Sequence, residues 1–391
     1  MTRTLRLPTP DGRLAPHTLR GTGPDRPATA KVGTPPRTRT AYAAAHVVAD
    51  PLADNAPGAP ARLDWEATLA FRHRLWDLGL GVADAMDTAQ RGMGLDWPAT
   101  AELIRRSAAE AATRGAAIAC GAGTDHLDPH CPDLESVLAG YREQLEVVEY
   151  AGATPVLMAS RQLAGLARGP EDYAAVYGRL LTEAGRPVIL HWLGAAFDPA
   201  LAGYWGHDDP ADAIPFVADL IRAHADRVDG IKVSLLDAAL EVRLRNLLPP
   251  GVKLYTGDDF NYPELIRGDA DGHSHALLGV FAAIAPAAAA ALHALDDGDT
   301  ARYDALLAPT VPLARHLFAA PTYYYKTGIA FLAWLNGHQR AFSMVGGLQS
   351  ARGLPHLAEA FRLADAAGVL TDPDLAALRM RRLLAVAGVD E

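Results

Sequence analysis

The residue with the clearest chemical potential is a lysine within a short apolar run, Gly230-Ile231-Lys232-Val233-Ser234. Burial of an ammonium group is costly because the charged form loses its hydration, so a buried lysine tends to lose its proton. A neutral amine can attack a carbonyl carbon and form a Schiff base. On residue type alone, a lysine at a strand end that extends its amino group into water is the simpler interpretation. The neighbouring motifs therefore decide between the two.

Further polar residues follow the predicted strands, at the end where a barrel of parallel strands carries its reacting groups. His191 ends the fifth predicted strand and titrates near neutrality, so we predict that it transfers protons beside Lys232. The predicted substrate-binding residues are Asp87, Thr88, Thr124, Trp192, Asp258, Asp259, His273 and His275. Two of these, Asp258 and Asp259, are equally consistent with capping the helix that follows them.

The elements that must position these residues alternate along the chain from Thr38 onward. Strands that are apolar throughout, each followed by a helix, are typical of a parallel sheet covered on both faces. Eight such units, with no second sheet pattern, predict a closed (β/α)8 TIM barrel. The predicted strands are 40–48, 79–86, 116–120, 154–159, 187–192, 230–233, 253–256 and 270–275. The predicted helices are 64–77, 97–113, 134–150, 171–184, 211–225, 235–247 and 260–267.

Three regions are predicted. Residues 1–36 form an N-terminal appendage, with a hairpin that turns at Asp11-Gly12 and a linker rich in proline, glycine and threonine. Residues 37–295 form the barrel. Residues 296–391 form a C-terminal helical extension of about three helices packed on the barrel.

Composition limits the partners and the compartment. The formal net charge is −10 and no basic stripe is present, so neither nucleic acid nor an anionic membrane is an expected partner. The two cysteines, Cys120 and Cys131, have no CxxC spacing, which argues against a disulfide framework and a thiolate zinc site. The N-terminus lacks the apolar stretch of a signal peptide. We expect a cytoplasmic protein.

Three linked motifs resemble a known family. Gly230-Ile231-Lys232 lies on the sixth predicted strand, 254–259 (Leu-Tyr-Thr-Gly-Asp-Asp) on the seventh, and 268–272 (Gly-Asp-Ala-Asp-Gly) on the eighth. With Gly121-Ala122-Gly123-Thr124 and the segment 321–326, they resemble the dihydrodipicolinate synthase / N-acetylneuraminate lyase superfamily. In those class I aldolases the lysine of the sixth strand forms the Schiff base. The resemblance therefore implies this role for Lys232.

Two departures from the family pattern concern the substrate. Pyruvate-using members carry Gly-Thr-Thr-Gly-Glu after the second strand, whereas this chain has Asp87-Thr88-Ala89. A carboxylate beside Asp87 would be repelled, but a hydroxyl would find an acceptor. His191 replaces the family's tyrosine at the end of the fifth strand, and Trp192 would supply an apolar wall. We therefore expect a hydroxylated carbonyl substrate and a poor pyruvate site.

Three functions follow from these residues. The first is a Schiff-base lyase, aldolase or dehydratase for a keto sugar or a sugar-derived oxo acid, which uses Lys232 and His191 and needs no cofactor or metal. The alternative is a divalent-metal-dependent aldolase, isomerase or hydrolase whose ligands are Asp87, His191, His273 and His275. The third is a barrel that binds a metabolite without catalysis. The expected partners are a small carbonyl substrate and, by the family resemblance, further copies of the chain.

Overall fold

The first described element is the predicted N-terminal hairpin. The computed structural model describes residues 3–20 and 33–389. Strands β1 (Thr4–Pro8) and β2 (Leu14–Thr18) pair antiparallel. Gly12 in the turn has a φ of 76°, a left-handed conformation that glycine adopts without strain. The hairpin is confirmed, whereas most of the predicted linker falls on residues 21–32, outside the described residues.

Eight parallel strands then close into a barrel, which confirms the predicted TIM fold. Each strand pairs with the next along the chain, and the last pairs with the first. The strands are β3 (Ala41–Ala44), β4 (Gly81–Asp84), β5 (Ile118–Ala122), β6 (Thr154–Leu157), β7 (Val188–Leu193), β8 (Val228–Ser234), β9 (Lys253–Thr256) and β10 (His275–Leu278).

The barrel interior is filled by a compact cluster separate from the core under the helices. Small residues alternate with large ones in this cluster, which lets side chains from opposite strands interdigitate. Its members are Tyr42, Ala44, Ala83, Met86, Ala119, Val156, Met158, Ile189, Tyr255 and Leu277. Most of the remaining apolar residues lie between strands and helices.

The helices between the strands agree closely with the predicted ones. They are α1 (Trp65–Asp77), α2 (Trp97–Arg114), α3 (Leu134–Tyr150), α4 (Arg161–Leu166), α5 (Pro170–Glu183), α6 (Pro210–Ala223), α7 (Ala238–Arg245) and α8 (Tyr262–Arg267). Asp64 caps α1 by accepting the Ala67 N–H at 3.1 Å, and Asp96 caps α2 by accepting the Ala99 N–H at 2.9 Å. Of these eight helices, only the short α4 is absent from the predicted set.

The eighth barrel strand differs from its prediction. The sequence analysis places it at 270–275, but β10 is His275–Leu278. Asp269 accepts the N–H groups of Asp271 and Gly272 at 2.9 and 3.1 Å, so this stretch is a tight turn. The strand is instead the apolar run that follows the turn.

Helices occupy the rest of the described chain. The long α9 (Val280–Asp296) follows β10, and five more helices follow it up to residue 389, where the sequence indicates about three. These are α10 (Thr300–Leu307), α11 (Val311–Leu317), α12 (Tyr325–Leu335), α13 (Leu354–Ala366) and α14 (Pro373–Val386). Every residue of α12 is buried. Within residues 3–20 and 33–389, no helix has both the length and the apolar character that a bilayer crossing requires.

The hairpin packs on this helical extension. Leu5 and Leu7 of β1 are buried. Arg362 of α13 donates hydrogen bonds to the carbonyl groups of Leu7 and Pro8 at 3.0 and 2.8 Å. The two ends of the described chain therefore share one packing surface.

Candidate active site

Lys232 points into the barrel from β8. It lies in register with His191 of β7 and Tyr255 of β9, and Tyr255 belongs to the interior cluster. Residues paired in register share a face of the sheet, so Lys232 shares the interior face. Only 7 % of its surface is exposed. Burial lowers the pKa of the amine, while the carboxylates of Asp87 and Asp259 oppose that shift.

The site needs a glycine at position 257. A methyl group there would lie 2.8 Å from Lys232 Cε and 2.9 Å from the Val233 carbonyl oxygen, and would overlap Ser234 Oγ. Atoms that are not bonded do not pack this closely in a protein interior. Gly257 therefore leaves the space that the lysine side chain occupies.

Asp259 is a buried carboxylate in electrostatic contact with Lys232. Its Oδ1 accepts the N–H of Val280 at 2.8 Å, at the start of α9. Burial raises the pKa of Asp259 to about 8, although the Val280 N–H and the charge of Lys232 oppose the increase. The lowered pKa of Lys232 and the raised pKa of Asp259 bring the basicities of the amine and the carboxyl group closer together, which suits proton exchange.

His191 is fully buried next to Lys232. Its Nε2 lies 3.3 Å from Ser234 Oγ, and its buried Nδ1 has no hydrogen-bond partner among the described residues. Burial, and then the charge of Lys232, hold the pKa of His191 well below its usual value. The imidazole is therefore neutral and acts as a hydrogen-bonding group rather than as a cation.

A hydroxyl pair joins the barrel to the helical extension. Thr88, in the turn after β4, is hydrogen-bonded to the Tyr325 hydroxyl of α12 at 2.7 Å. Burial raises the pKa of Tyr325, and Asp87 and Asp259 add to the increase. From sequence, the tyrosines at 323–325 are interpreted mainly as packing residues, one of which could line the barrel mouth. The structure shows that Tyr325 lines the cavity and interacts with both carboxylates.

A cavity of about 450 Å³ opens beyond the carboxyl ends of the strands. Its lining includes Asp87, Thr124, Arg161, Tyr325 and Lys326. Lys232, His191, Asp258 and Asp259 are not among its lining residues. Asp87 and Tyr325 connect the cavity with the buried residues below it. Both line the cavity, and Asp87 interacts electrostatically with Lys232 while Tyr325 interacts with Asp259.

Thr124 and its neighbours form one wall of the cavity. The Thr124 hydroxyl is hydrogen-bonded to Ser160 Oγ at 2.6 Å and donates to Gln162 Oε1 at 2.8 Å. Asp125 forms an ion pair with Arg91. Burial alone would raise the pKa of Asp125, but the Arg91 guanidinium lowers it to about 2. These hydrogen bonds and the Arg91–Asp125 ion pair hold this wall of the cavity in place.

Four predicted site residues lie elsewhere. Trp192 faces the helices and packs against Trp205, because side chains alternate along β7 and His191 takes the inner position. Asp258 accepts the N–H groups of Phe260 and Asn261 at 2.8 and 3.0 Å, so it shapes the turn before α8. The remaining two, His273 and His275, precede or begin β10 at the amino end of the barrel, opposite the cavity.

The position of the two histidines is also incompatible with the predicted metal site. His275 Nδ1 accepts the N–H of Thr40, at the start of the first barrel strand, at 2.9 Å. Asp87 and His191 lie toward the other end, so the four predicted ligands do not meet. No group of three or more His, Cys, Asp or Glu residues in the described ranges is arranged to hold a metal ion.

Comparisons with known proteins agree with this architecture. The profile of the DUF993 family, described as a protein of unknown function, matches residues 5–389. The chain belongs to this family. No curated protein matches the chain.

Solved structures show which fold this DUF993 member shares. A dihydrodipicolinate synthase from Thermotoga maritima is 14 % identical, with a TM-score of 0.62 over 85 % of this chain and 100 % of its own. The synthase from Aquifex aeolicus is 11 % identical, with a TM-score of 0.60 over 90 % and 98 %. YagE, a prophage protein of the dihydrodipicolinic acid synthase family from E. coli K12 solved in complex with pyruvate, is 16 % identical, with a TM-score of 0.59 over 90 % and 99 %. The resemblance inferred from sequence is thus confirmed for the fold.

Proposed function

We propose that this DUF993 protein is a class I lyase, aldolase or dehydratase that forms a Schiff base between Lys232 and a keto sugar or a sugar-derived oxo acid. The observation that carries the proposal is the buried amine inside the barrel, with a lowered pKa, next to the protonatable carboxyl group of Asp259. The fold shared with dihydrodipicolinate synthases supports the same chemistry.

The chemical steps follow from these groups. The neutral amine of Lys232 attacks the carbonyl carbon, so that an N–C bond forms, the C–O π bond breaks, and a proton passes from the attacking nitrogen to the oxygen. Asp259 supplies the second proton that lets this oxygen leave as water. The resulting iminium withdraws electrons and allows a neighbouring C–C or C–O bond to break.

Proton movement to the cavity involves two further groups. The Thr88–Tyr325 hydroxyl pair stands within the electrostatic reach of Asp87 and Asp259, between the cavity and the amine. His191 stays neutral and contacts Ser234, so in this proposal it relays a proton by accepting one at one ring nitrogen while it gives up the proton of the other. This assigns His191 the proton-transfer role predicted from sequence.

The test is reductive trapping. Purified protein is treated with borohydride and dihydroxyacetone, D-fructose, pyruvate or a 3-deoxy-2-oxo sugar acid, and the adduct is located by peptide mass spectrometry. We expect a hydroxylated carbonyl compound to add its reduced mass at Lys232, and pyruvate to react less efficiently. Lys232→Ala should abolish the adduct.

Lys253→Arg is the matched control, because Lys253 lies at the amino end of β9 and donates to Asp229 at 2.6 Å, away from the cavity. This variant should trap like the wild type. An adduct at another residue, or full turnover by Lys232→Ala, would show that the proposed mechanism is wrong.

A further inference from the structure

Two charged side chains in the cavity lack a good hydrogen-bond partner among the described residues. Lys326 is 2 % exposed, and among the described residues its amine has a hydrogen bond to the Met93 sulfur, at 3.1 Å, and a contact with the ring face of Tyr325, at 5.3 Å, but no oxygen acceptor. The Asp87 side chain receives no hydrogen bond from any described residue. Both groups line the cavity and interact electrostatically with each other.

The fold alone does not account for Lys326. A thioether sulfur is a weak acceptor, so it compensates poorly for the hydration that a buried ammonium loses. Lys326 also lies in the first turn of α12, where the helix dipole disfavours a cation. Burial accordingly lowers the pKa of Lys326 to about 8, even though Asp87 favours its charged form. An oxygen acceptor brought by a ligand would remove this cost.

The neighbouring arginines, unlike Lys326, already have carboxylate partners. Arg161 also lines the cavity, but its Nε donates to Asp198 at 2.5 Å. Arg91 is occupied by Asp125 and by Gln144. Lys326 is therefore the cation of the cavity wall without an oxygen partner among the described residues.

We propose that Lys326 and Asp87 form a two-point subsite for a substrate that carries both an anionic group and a hydroxyl. Lys326 donates a hydrogen bond to the anionic oxygen of a carboxylate or phosphate, and Asp87 accepts a hydrogen bond from the hydroxyl. The proposal rests on the proposed function in that the same cavity admits the carbonyl compound. An acid without a hydroxyl is repelled by Asp87, and a neutral polyol leaves Lys326 without an acceptor.

Binding of matched pairs tests this subsite without any reaction. Isothermal titration of the full-length protein compares D-gluconate with D-glucitol, and D-glucitol 6-phosphate with D-glucitol, none of which carries a ketone that could react with Lys232. A charge-assisted hydrogen bond predicts that the acidic member of at least one pair binds roughly ten- to a hundredfold more tightly than its neutral counterpart. The pair that shows the gain tells whether the anion is a carboxylate or a phosphate.

Two variants test whether Lys326 and Asp87 cause this gain in affinity for the acidic compound. Lys326→Met should remove the preference for the acid and leave the neutral compound unaffected, with thermal unfolding as the check on folding. Asp87→Asn should weaken binding of the hydroxylated acid and strengthen binding of acetate or inorganic phosphate, since the repulsion is gone. Lys253→Met should preserve the acid preference, because Lys253 lies at the opposite end of the barrel.

Two results would overturn the subsite. One is equal affinity of the wild type for acidic and neutral members of both pairs, which needs no variant to fold. The other is a folded Lys326→Met variant that keeps the preference. If trapping at Lys232 fails while the acid preference holds, the Schiff-base function is wrong and the subsite stands; the reverse result rejects only the subsite.

Discussion

Replacing Gly257 with alanine would place a methyl group against the lysine that carries the proposed chemistry. The new carbon would lie 2.8 Å from Lys232 Cε and 2.9 Å from the Val233 carbonyl oxygen, where ordinary contacts need about 3.4–4 Å. That carbonyl also accepts the N–H of Gly257 at 2.7 Å, so β8 and β9 cannot separate without losing their pairing. The strain must therefore fall largely on Lys232 and Ser234.

The expected magnitude follows from this geometry. Adding a methyl group to a filled interior costs about 1–3 kcal/mol of unfolding free energy, measured by urea denaturation. Displacement of the Lys232 amine should also slow reductive trapping at least about tenfold, since small misplacements of a reacting group have large effects on rate.

A second glycine provides the control. Gly165 lies in α4, and a methyl group there would meet no atom within 4 Å. Gly165→Ala should stabilise the protein by about 0.4–1 kcal/mol and leave trapping unchanged. If Gly257→Ala were as stable as the wild type and trapped as fast, the inferred position of Lys232 against Gly257 would be incorrect.

Two further predictions concern buried ionisable side chains. Burial raises the pKa of Glu241 to about 8, against the hydrogen bonds from Ser274 and Thr256. The folded state thus keeps a proton that the unfolded state loses near pH 4.5, so wild-type stability should fall as pH rises from about 4.5 to 8. Glu241→Gln should show a smaller fall in urea denaturation between pH 5 and 8, because Asp259, whose pKa is also raised to about 8, still contributes to it. Parallel curves for the variant and the wild type would refute the assignment. The Arg72–Asp84 ion pair is completely buried, with contacts of 2.7 and 3.1 Å, so Asp84→Asn should cost about 3–5 kcal/mol in the same assay; a loss below about 1 kcal/mol would contradict it.

The sequence was sufficient for the barrel because its signals are local. Apolar runs followed by amphipathic segments mark each unit, and the boundaries predicted for 134–150 and 253–256 match α3 and β9. The position of Lys232 follows from its strand and from the strand's place in the order. The eighth strand was misplaced because a motif with turn-forming residues, 268–272, was assigned to the strand instead of to the loop before it.

The candidate site was less predictable, for two different reasons. His191 and Trp192 are adjacent on a strand and cannot both face inward, so the alternation of side chains already argued against Trp192. Tyr325 and Lys326, in contrast, reach the cavity from a helix that follows the closed barrel. Their burial depends on how the C-terminal helices pack on the barrel. The hydrophobic periodicity within one helix does not predict that packing.

The docking of the N-terminal hairpin has a consequence for synthesis of the chain. The hydrogen bonds between Leu7 or Pro8 and Arg362 span 355 and 354 residues. Strand β1 therefore leaves the ribosome long before its partner helix α13 has been made. Until then Leu5 and Leu7 have no surface on α13 to cover them, and a strand edge exposed for that long invites pairing with other nascent chains.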